Sequence, residues 1–317
     1  MRRFDPVKLC PAFKDYLWGG ERLKSEFNKK CDLFPLAESW ELSAHKDGQS
    51  YVSGGEFDGL ALSEYIEKIG REALGENSAK YDYFPLLIKL IDAKGDLSVQ
   101  VHPSDEYALS HEGEYGKTEM WYILDCDEGA CLYYGFSRDV SLEEYENAIK
   151  EGRLCEILNR VAVKKGDVFF IPAGTVHAIG AGIVICEIQQ NSNTTYRVFD
   201  YNRRDKEGNL RPLHVEKALE VSDLKKSPEL DDTPEGDDVL LASCTYFEVR
   251  RLRVCGKKEI AVDSTSFISF LVTDGEGSLI YDGGKLEMKK GDSIFIPAHT
   301  TDLIIDGNLE IIESKVR

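Results

Sequence analysis

No C-x-x-C pair occurs in this chain of 317 residues. Its eight cysteines, Cys10, Cys31, Cys126, Cys131, Cys155, Cys186, Cys244 and Cys255, are scattered, which excludes a zinc ribbon and a thioredoxin-type redox motif. Long apolar runs are missing too: no stretch approaches the roughly 20 residues that a membrane helix needs. The first residues, Met1-Arg2-Arg3-Phe4-Asp5-Pro6, carry two basic groups without the apolar core of a signal peptide. The expectation is a cytoplasmic protein with reduced thiols and no membrane partner. Positive charge is in the minority, with 39 Lys and Arg against 57 Asp and Glu and a net charge of −18. Such a field repels polyanions and argues against a nucleic-acid partner. It does not exclude a small anionic ligand, because a few cations focused in one cleft act locally.

Strand-like runs of Val, Ile, Leu, Phe and Tyr, broken by Gly, Asp and Asn, dominate what is present and predict a mainly β protein. Helical patterns are few: 62–74, 105–109, 142–150 and 215–221. Ser141, with Glu144 three residues on, predicts a capping box for the third of these. Residues 222–238, SDLKKSPELDDTPEGDD, are charged, contain two prolines and have almost no apolar side chains, as expected of a linker. The implied division is 1–221, 222–238 and 239–317.

An internal repeat is the most informative pattern. Gly166 to Ile179 reads GDVFFIPAGTVHAI and Gly291 to Ile304 reads GDSIFIPAHTTDLI. A Gly-Asp turn, an apolar strand and a proline were therefore built twice. In the second copy His299 stands where the first has Gly174, and Asp302 where the first has His177. Gly166, Pro172, Gly174 and His177 carry a spacing that resembles the second signature motif of the cupin superfamily. That resemblance implies two jelly-roll β-barrels with a few short helices, one metal in the first barrel and none in the degenerate second.

Polar side chains at strand period mark a site in the first half. In LSVQVHP (97–103), Ser98, Gln100 and His102 alternate with Leu97, Val99 and Val101 and share one face. In GKTEMWYIL (116–124), Lys117 and Glu119 share a face by the same rule. Neutral imidazole and carboxylate are zinc ligands, and three protein ligands leave an open catalytic position. His102, Glu119 and His177 fit that count, with Gln100 a further ligand through its amide oxygen. His45, His111, His214 and His299 lack such partners and read as ordinary histidines, and Trp18 and Trp40 read as packing for the N-terminal segment.

Q-V-H-P (100–103), G-K-T-E (116–119), His177 and Y-R-V-F-D-Y (196–201) together resemble the type I mannose-6-phosphate isomerases, notably the short bacterial form. W-G-G (18–20) and E-S-W-E-L (38–42) look like that family's N-terminal region. The resemblance implies one zinc ion per chain on Gln100, His102, Glu119 and His177. It also implies substrate contacts from Lys89, Ser98 and Lys117, a catalytic arginine at Arg197 and a sugar-phosphate substrate. Arg197 stays protonated, so it is assigned to enediolate stabilisation or phosphate orientation. Lys117 and a metal-bound water compete as the proton shuttle. Two other readings use the same residues: a non-haem iron oxygenase, whose two-histidine, one-carboxylate set His102, His177 and Glu119 would supply, and a non-catalytic sugar-phosphate-binding bicupin.

Overall fold

The computed structural model describes residues 4–204, 207–230 and 235–317. Strands dominate, as the strand-like runs predict. A six-stranded antiparallel sheet joins 168–171, 119–126, 183–190, 86–93, 38–42 and 12–14 in that order. A five-stranded sheet joins 158–162, 131–136, 177–178, 99–101 and 196–199. The two sheets face each other, because Glu119 of the first reaches His177 of the second. Leu86–Ala93 and Ile183–Gln190 are buried at every position, so side chains on both of their faces are desolvated. Their apolar members each contribute roughly 1.5–3 kcal/mol by burial.

Apart from a two-stranded pair, 44–45 with 48–49, the remaining strands form an eight-stranded sheet, built chiefly from 247–260, 303–316 and 268–281, with 238–243, 284–289 and 293–296. Strand pairing crosses the division expected from sequence. Val7–Cys10 pairs with Ser293–Ile296, and Tyr51–Ser53 pairs in turn with Val7–Cys10, so two N-terminal strands complete the C-terminal sheet. The expected linker is partly ordered. Leu224 accepts a hydrogen bond from the amide of Val140, and the Ser227 hydroxyl donates to the carbonyls of Tyr134 and Phe136; residues 231–234 of that linker lie outside the described residues.

Three expected helices form at Asp105–His111, Leu142–Lys150 and Val215–Val221. The first expected helix is broken: Leu62–Ile69 is α-helical, Gly70 adopts φ 103°, and Arg71–Leu74 continues as a 3-10 turn. A helix at Arg22–Phe27 escaped the sequence reading because it is barely more than one turn long. Ser141 caps its helix by accepting from the amide of Glu144. The reciprocal half of the expected box is absent, because the Glu144 carboxylate pairs with Arg138 instead.

Both copies of the repeat keep their backbone. Gly166 and Gly291 have φ of 93° and 91°, and Gly174 (φ 90°) and His299 (φ 64°) both turn in the left-handed region. What differs is the destination of the side chains. His177 is fully buried, whereas Asp302 is exposed. The interior of the eight-stranded C-terminal sheet is filled by apolar groups such as Leu252, Phe270, Val272, Ile294 and Ile311. His299→Ala is therefore expected to leave the metal content per chain unchanged, measured by elemental analysis of purified protein; loss of one bound ion would reveal a second site.

Candidate active site

Strand geometry brings three distant segments together. Glu119 opens the strand Glu119–Cys126, and His102 follows Val99–Val101. His177 lies opposite Gln100 in the register of the five-stranded sheet. The ligand atoms of His102, Glu119 and His177 all lie within 4.8 Å of one another. The individual separations are 3.6 Å from His102 Nε2 to Glu119 Oε2 and 3.4 Å from His177 Nε2 to Glu119 Oε1.

Surrounding hydrogen bonds fix how these groups present themselves. His102 Nδ1 lies 2.9 Å from the Thr194 carbonyl and His177 Nδ1 2.8 Å from that of Thr175. A carbonyl can only accept, so each Nδ1 carries the proton and each Nε2 turns a lone pair inward. Burial holds His102 well below the usual imidazole range, helped by the Lys117 charge, and lowers His177 to about 4. Both rings are thus neutral near pH 7, the form that binds metals. Neither Glu119 oxygen accepts a well-directed hydrogen bond, although Lys117 Nζ stands 2.7 Å from Oε2. A fully buried carboxylate in that condition is costly. A cation on these three ligands would relieve it, so the residues fit a tetrahedral metal with an open position. The Gln100 side-chain nitrogen lies 3.4 Å from His177 Nε2, which puts the amide group beside the same three ligands.

The other expected site residues gather around this centre. Lys117 bridges Glu119 and, at 3.7 Å, Glu187. Lys89 is buried 3.1 Å from Glu187 and 3.9 Å from Glu38, above the Trp40 ring. Burial opposes its charge, but Glu187, Glu38 and Glu119 outweigh burial and raise its pKa. Arg197 lies opposite Gln100 across the sheet, and its Nε donates to Ser98 Oγ at 3.3 Å. Of the other histidines, His214 accepts from the Arg197 amide, and His45 stands between Asp47 and Glu114. Trp40 packs as expected, and Trp18 also borders a cavity.

Glu187 was missed by the sequence reading and is central to the charge balance. Burial pushes its carboxyl up, but Lys117 and Lys89 outweigh it and hold the group well below the usual carboxylate range. Glu119 is pushed up instead, by burial and by the second carboxylate beside it. The missed signal was available: one charged residue inside the apolar strand IVICEIQ, as Lys89 is inside LLIKLI. Gln189, opposite Glu119 in the register, was missed as well; its Nε2 donates to the carbonyls of Gln190 and Ser192 and so braces the turn that leads to Thr194.

The depressed His177 pKa has a consequence for the metal-stripped protein. Below 6.5 the unfolded chain takes up a proton that folded His177 refuses until about pH 4. The stability that neutral His177 contributes is complete above pH 6.5 and is lost as pH falls toward 4. Glu119, with a raised pKa, acts in the opposite direction, so the test is differential. The stability of metal-free wild type relative to metal-free His177→Gln, from urea midpoints, is expected to fall as pH goes from 6.5 to 4; a constant difference would contradict it.

Comparison with known proteins places this geometry in context. Residues 7–130 match the family model of the phosphomannose isomerase type I catalytic domain, and residues 238–316 that of the mannose-6-phosphate isomerase cupin domain. A mannose-6-phosphate isomerase of Bacillus subtilis is 42% identical, across 98% of this chain and 99% of its own. That of Streptococcus mutans is 38% identical, across 98% of both. A crystal structure of the Bacillus subtilis mannose 6-phosphate isomerase superposes with a TM-score of 0.90 at 37% identity, covering 98% of this chain and 99% of that one. The apo form of the Salmonella typhimurium enzyme, 17% identical with a TM-score of 0.80, shares the fold across 99% of this chain and 100% of its own.

Proposed function

The chain belongs to the type I mannose-6-phosphate isomerase family, and on that footing we propose that it interconverts mannose 6-phosphate and fructose 6-phosphate using one zinc ion held by His102, Glu119, His177 and Gln100. The observation that carries the metal assignment is the fully buried Glu119 carboxylate, whose Oε1 accepts no hydrogen bond and whose Oε2 meets only Lys117, together with the two neutral histidines whose ligand atoms lie within 4.8 Å of it. The same reading makes 1–221 the metal-binding cupin unit and 239–317 a structural one, each a jelly-roll barrel, joined by 222–238 and operating in the cytoplasm.

In the forward reaction the C2 proton leaves and a proton is delivered to C1, while the O2 hydroxyl hydrogen ends on O1. Zinc, when bound, supplies Lewis-acid polarisation of the substrate oxygens. The remaining work falls to this chain's side chains. Lys117, whose Nζ lies 2.7 Å from Glu119 and 3.7 Å from Glu187, stands at the centre of the site as the side chain that passes a proton between C2 and C1. Glu187 keeps Lys89 charged and aligned. Lys89 and Ser98 then hold substrate oxygens, and the Arg197 fork opposes the negative charge that grows on the enediolate. Closely packed neighbours such as Trp40 and Trp121 exclude water from the centre. Formation of fructose 6-phosphate, followed in a coupled assay before and after chelation, tests the whole reading.

A further inference from the structure

His102 and Glu119 reach the metal site from different sheets, and the chain between them, residues 103–118, must fold back so that both arrive together. Part of that return is the short helix Asp105–His111. Hydrogen bonds close the return at its base. The Pro103 carbonyl accepts from the Lys117 amide at 3.0 Å, and Asp105 Oδ1 accepts from the Gly116 amide at 2.8 Å. Glycine at 116 is required by this approach: a Cβ there would fall on the Ser104 carbonyl carbon and lie 2.5 Å from the Asp105 nitrogen.

Asp105 does more than close the loop. Its Oδ1 also accepts from Gln190 Nε2 at 2.9 Å, and Gln190 Oε1 in turn accepts from the Thr118 amide at 2.8 Å. The amides of Gly116, Lys117 and Thr118, the three residues before Glu119, are thus all engaged, by Asp105, Pro103 and Gln190. Gln190 ends the strand Ile183–Gln190, which lies beside Glu119 in the six-stranded sheet. Asp105 Oδ2 accepts from the Tyr246 hydroxyl at 2.8 Å, and Tyr246 immediately precedes the strand Phe247–Ile260 of the C-terminal sheet. Burial and the hydrogen bond to Asp105 both raise the Tyr246 pKa, so the hydroxyl stays a donor. One carboxylate joins both ends of the return, the strand beside Glu119 and the C-terminal sheet.

We propose that Asp105 is a positioning residue for the metal site: it clasps the segment that delivers Lys117 and Glu119 to the segment that delivers His102, and through Tyr246 the C-terminal sheet holds that clasp closed. The proposal rests on the metal assignment above. It gives the sheet whose copy of the repeat carries Asp302 in place of a histidine a part in the site. An ion is held only when its ligands arrive together, so loosening the base of the return lowers the fraction of molecules ready to bind and weakens affinity in proportion. Lys117 rides on the same segment, so the reaction feels the loosening as well as the metal.

The test measures the zinc dissociation constant of the purified full chain by competition with a chelator of known affinity. In Asp105→Ala the constant is expected to rise about tenfold or more, as for loss of a group that orients a metal ligand. Tyr246→Phe, which removes only the link to the C-terminal sheet, should raise it about threefold or more. Asp105→Asn keeps an Oδ1 acceptor for the Gly116 and Gln190 donors and should recover most of the loss. Gly116→Ala keeps Asp105 but forces the two backbones apart, and should weaken zinc binding as Asp105→Ala does. Melting temperatures of the metal-free variants establish that each is folded at the assay temperature. A purely structural Asp105 would lower those temperatures and leave the zinc constant of the folded protein at its wild-type value, which would overturn the clasp. A wild-type constant in Tyr246→Phe would overturn the part given to the C-terminal sheet. Neither result touches the isomerase reading, which the coupled assay decides; wild-type protein that binds no zinc would remove the metal assignment and the clasp with it.

Discussion

Replacing His177 with alanine is expected to reduce isomerisation by about three orders of magnitude or more and to lower bound zinc from one ion per chain to a small residue. The physical basis is the ligand count. His102 and Glu119 alone leave two positions of a tetrahedral ion without a strong donor, and each lost ligand weakens binding severely. Without the ion, polarisation of the substrate oxygens is lost, and that is worth several kcal/mol at about 1.4 kcal/mol per tenfold in rate. Chelation of the wild type should reproduce the variant, and re-addition of zinc should rescue the chelated wild type but not His177→Ala. The fold should survive, because His177 lies at the mouth of a two-residue strand whose neighbour Ala178 remains packed. Full activity in verified metal-free protein would remove the metal from the mechanism.

Arg197→Ala is expected to lower kcat by roughly two to three orders of magnitude while leaving zinc content intact, because transition-state stabilisation and metal ligation are separate duties. Arg197 is the cross-strand neighbour of Gln100, but its side-chain hydrogen bonds go elsewhere. Its side chain binds Ser98 Oγ and the Pro212 carbonyl, so it is positioned by its sheet and by the segment that leads to His214. Arg197→Lys should restore little, since an ammonium reproduces the charge without the planar fork. A rise in KM with kcat unchanged would instead mark Arg197 as an anchor for the substrate phosphate. Wild-type kinetics would remove it from the reaction altogether.

The two variants separate duties that the site places close together. His177 and Arg197 belong to neighbouring strands on either side of Val99–Val101, yet one sets the metal and the other the charge balance around the substrate. Steady-state kinetics combined with metal analysis on the same preparations distinguishes them without further assumptions.

Local pattern was enough for part of this protein. The period-2 alternation of Ser98, Gln100 and His102, and of Lys117 and Glu119, placed polar groups on one strand face, and burial of that face is what the structure has. The Gly166 and Gly291 turns needed positive φ, and glycine at both positions announced the repeat. The substitution of His177 by Asp302 in the second copy was equally legible, and the apolar packing of the C-terminal sheet agrees with it. Tertiary structure alone decided the rest, because the relevant forces act between residues far apart in the chain. Val7–Cys10 joins a sheet nearly three hundred residues away through backbone hydrogen bonds that carry no sequence signature of their partner. Glu144 has a sequence suited to closing a capping box, but a nearby Arg138 offers a stronger, charged partner. Glu187 and Lys89 read individually as misplaced charges in apolar strands. Only their pairing across adjacent strands, beside Lys117 and Glu119, turns them into a compensated buried network, since a charge taken out of water is tolerable only where an opposite charge already waits.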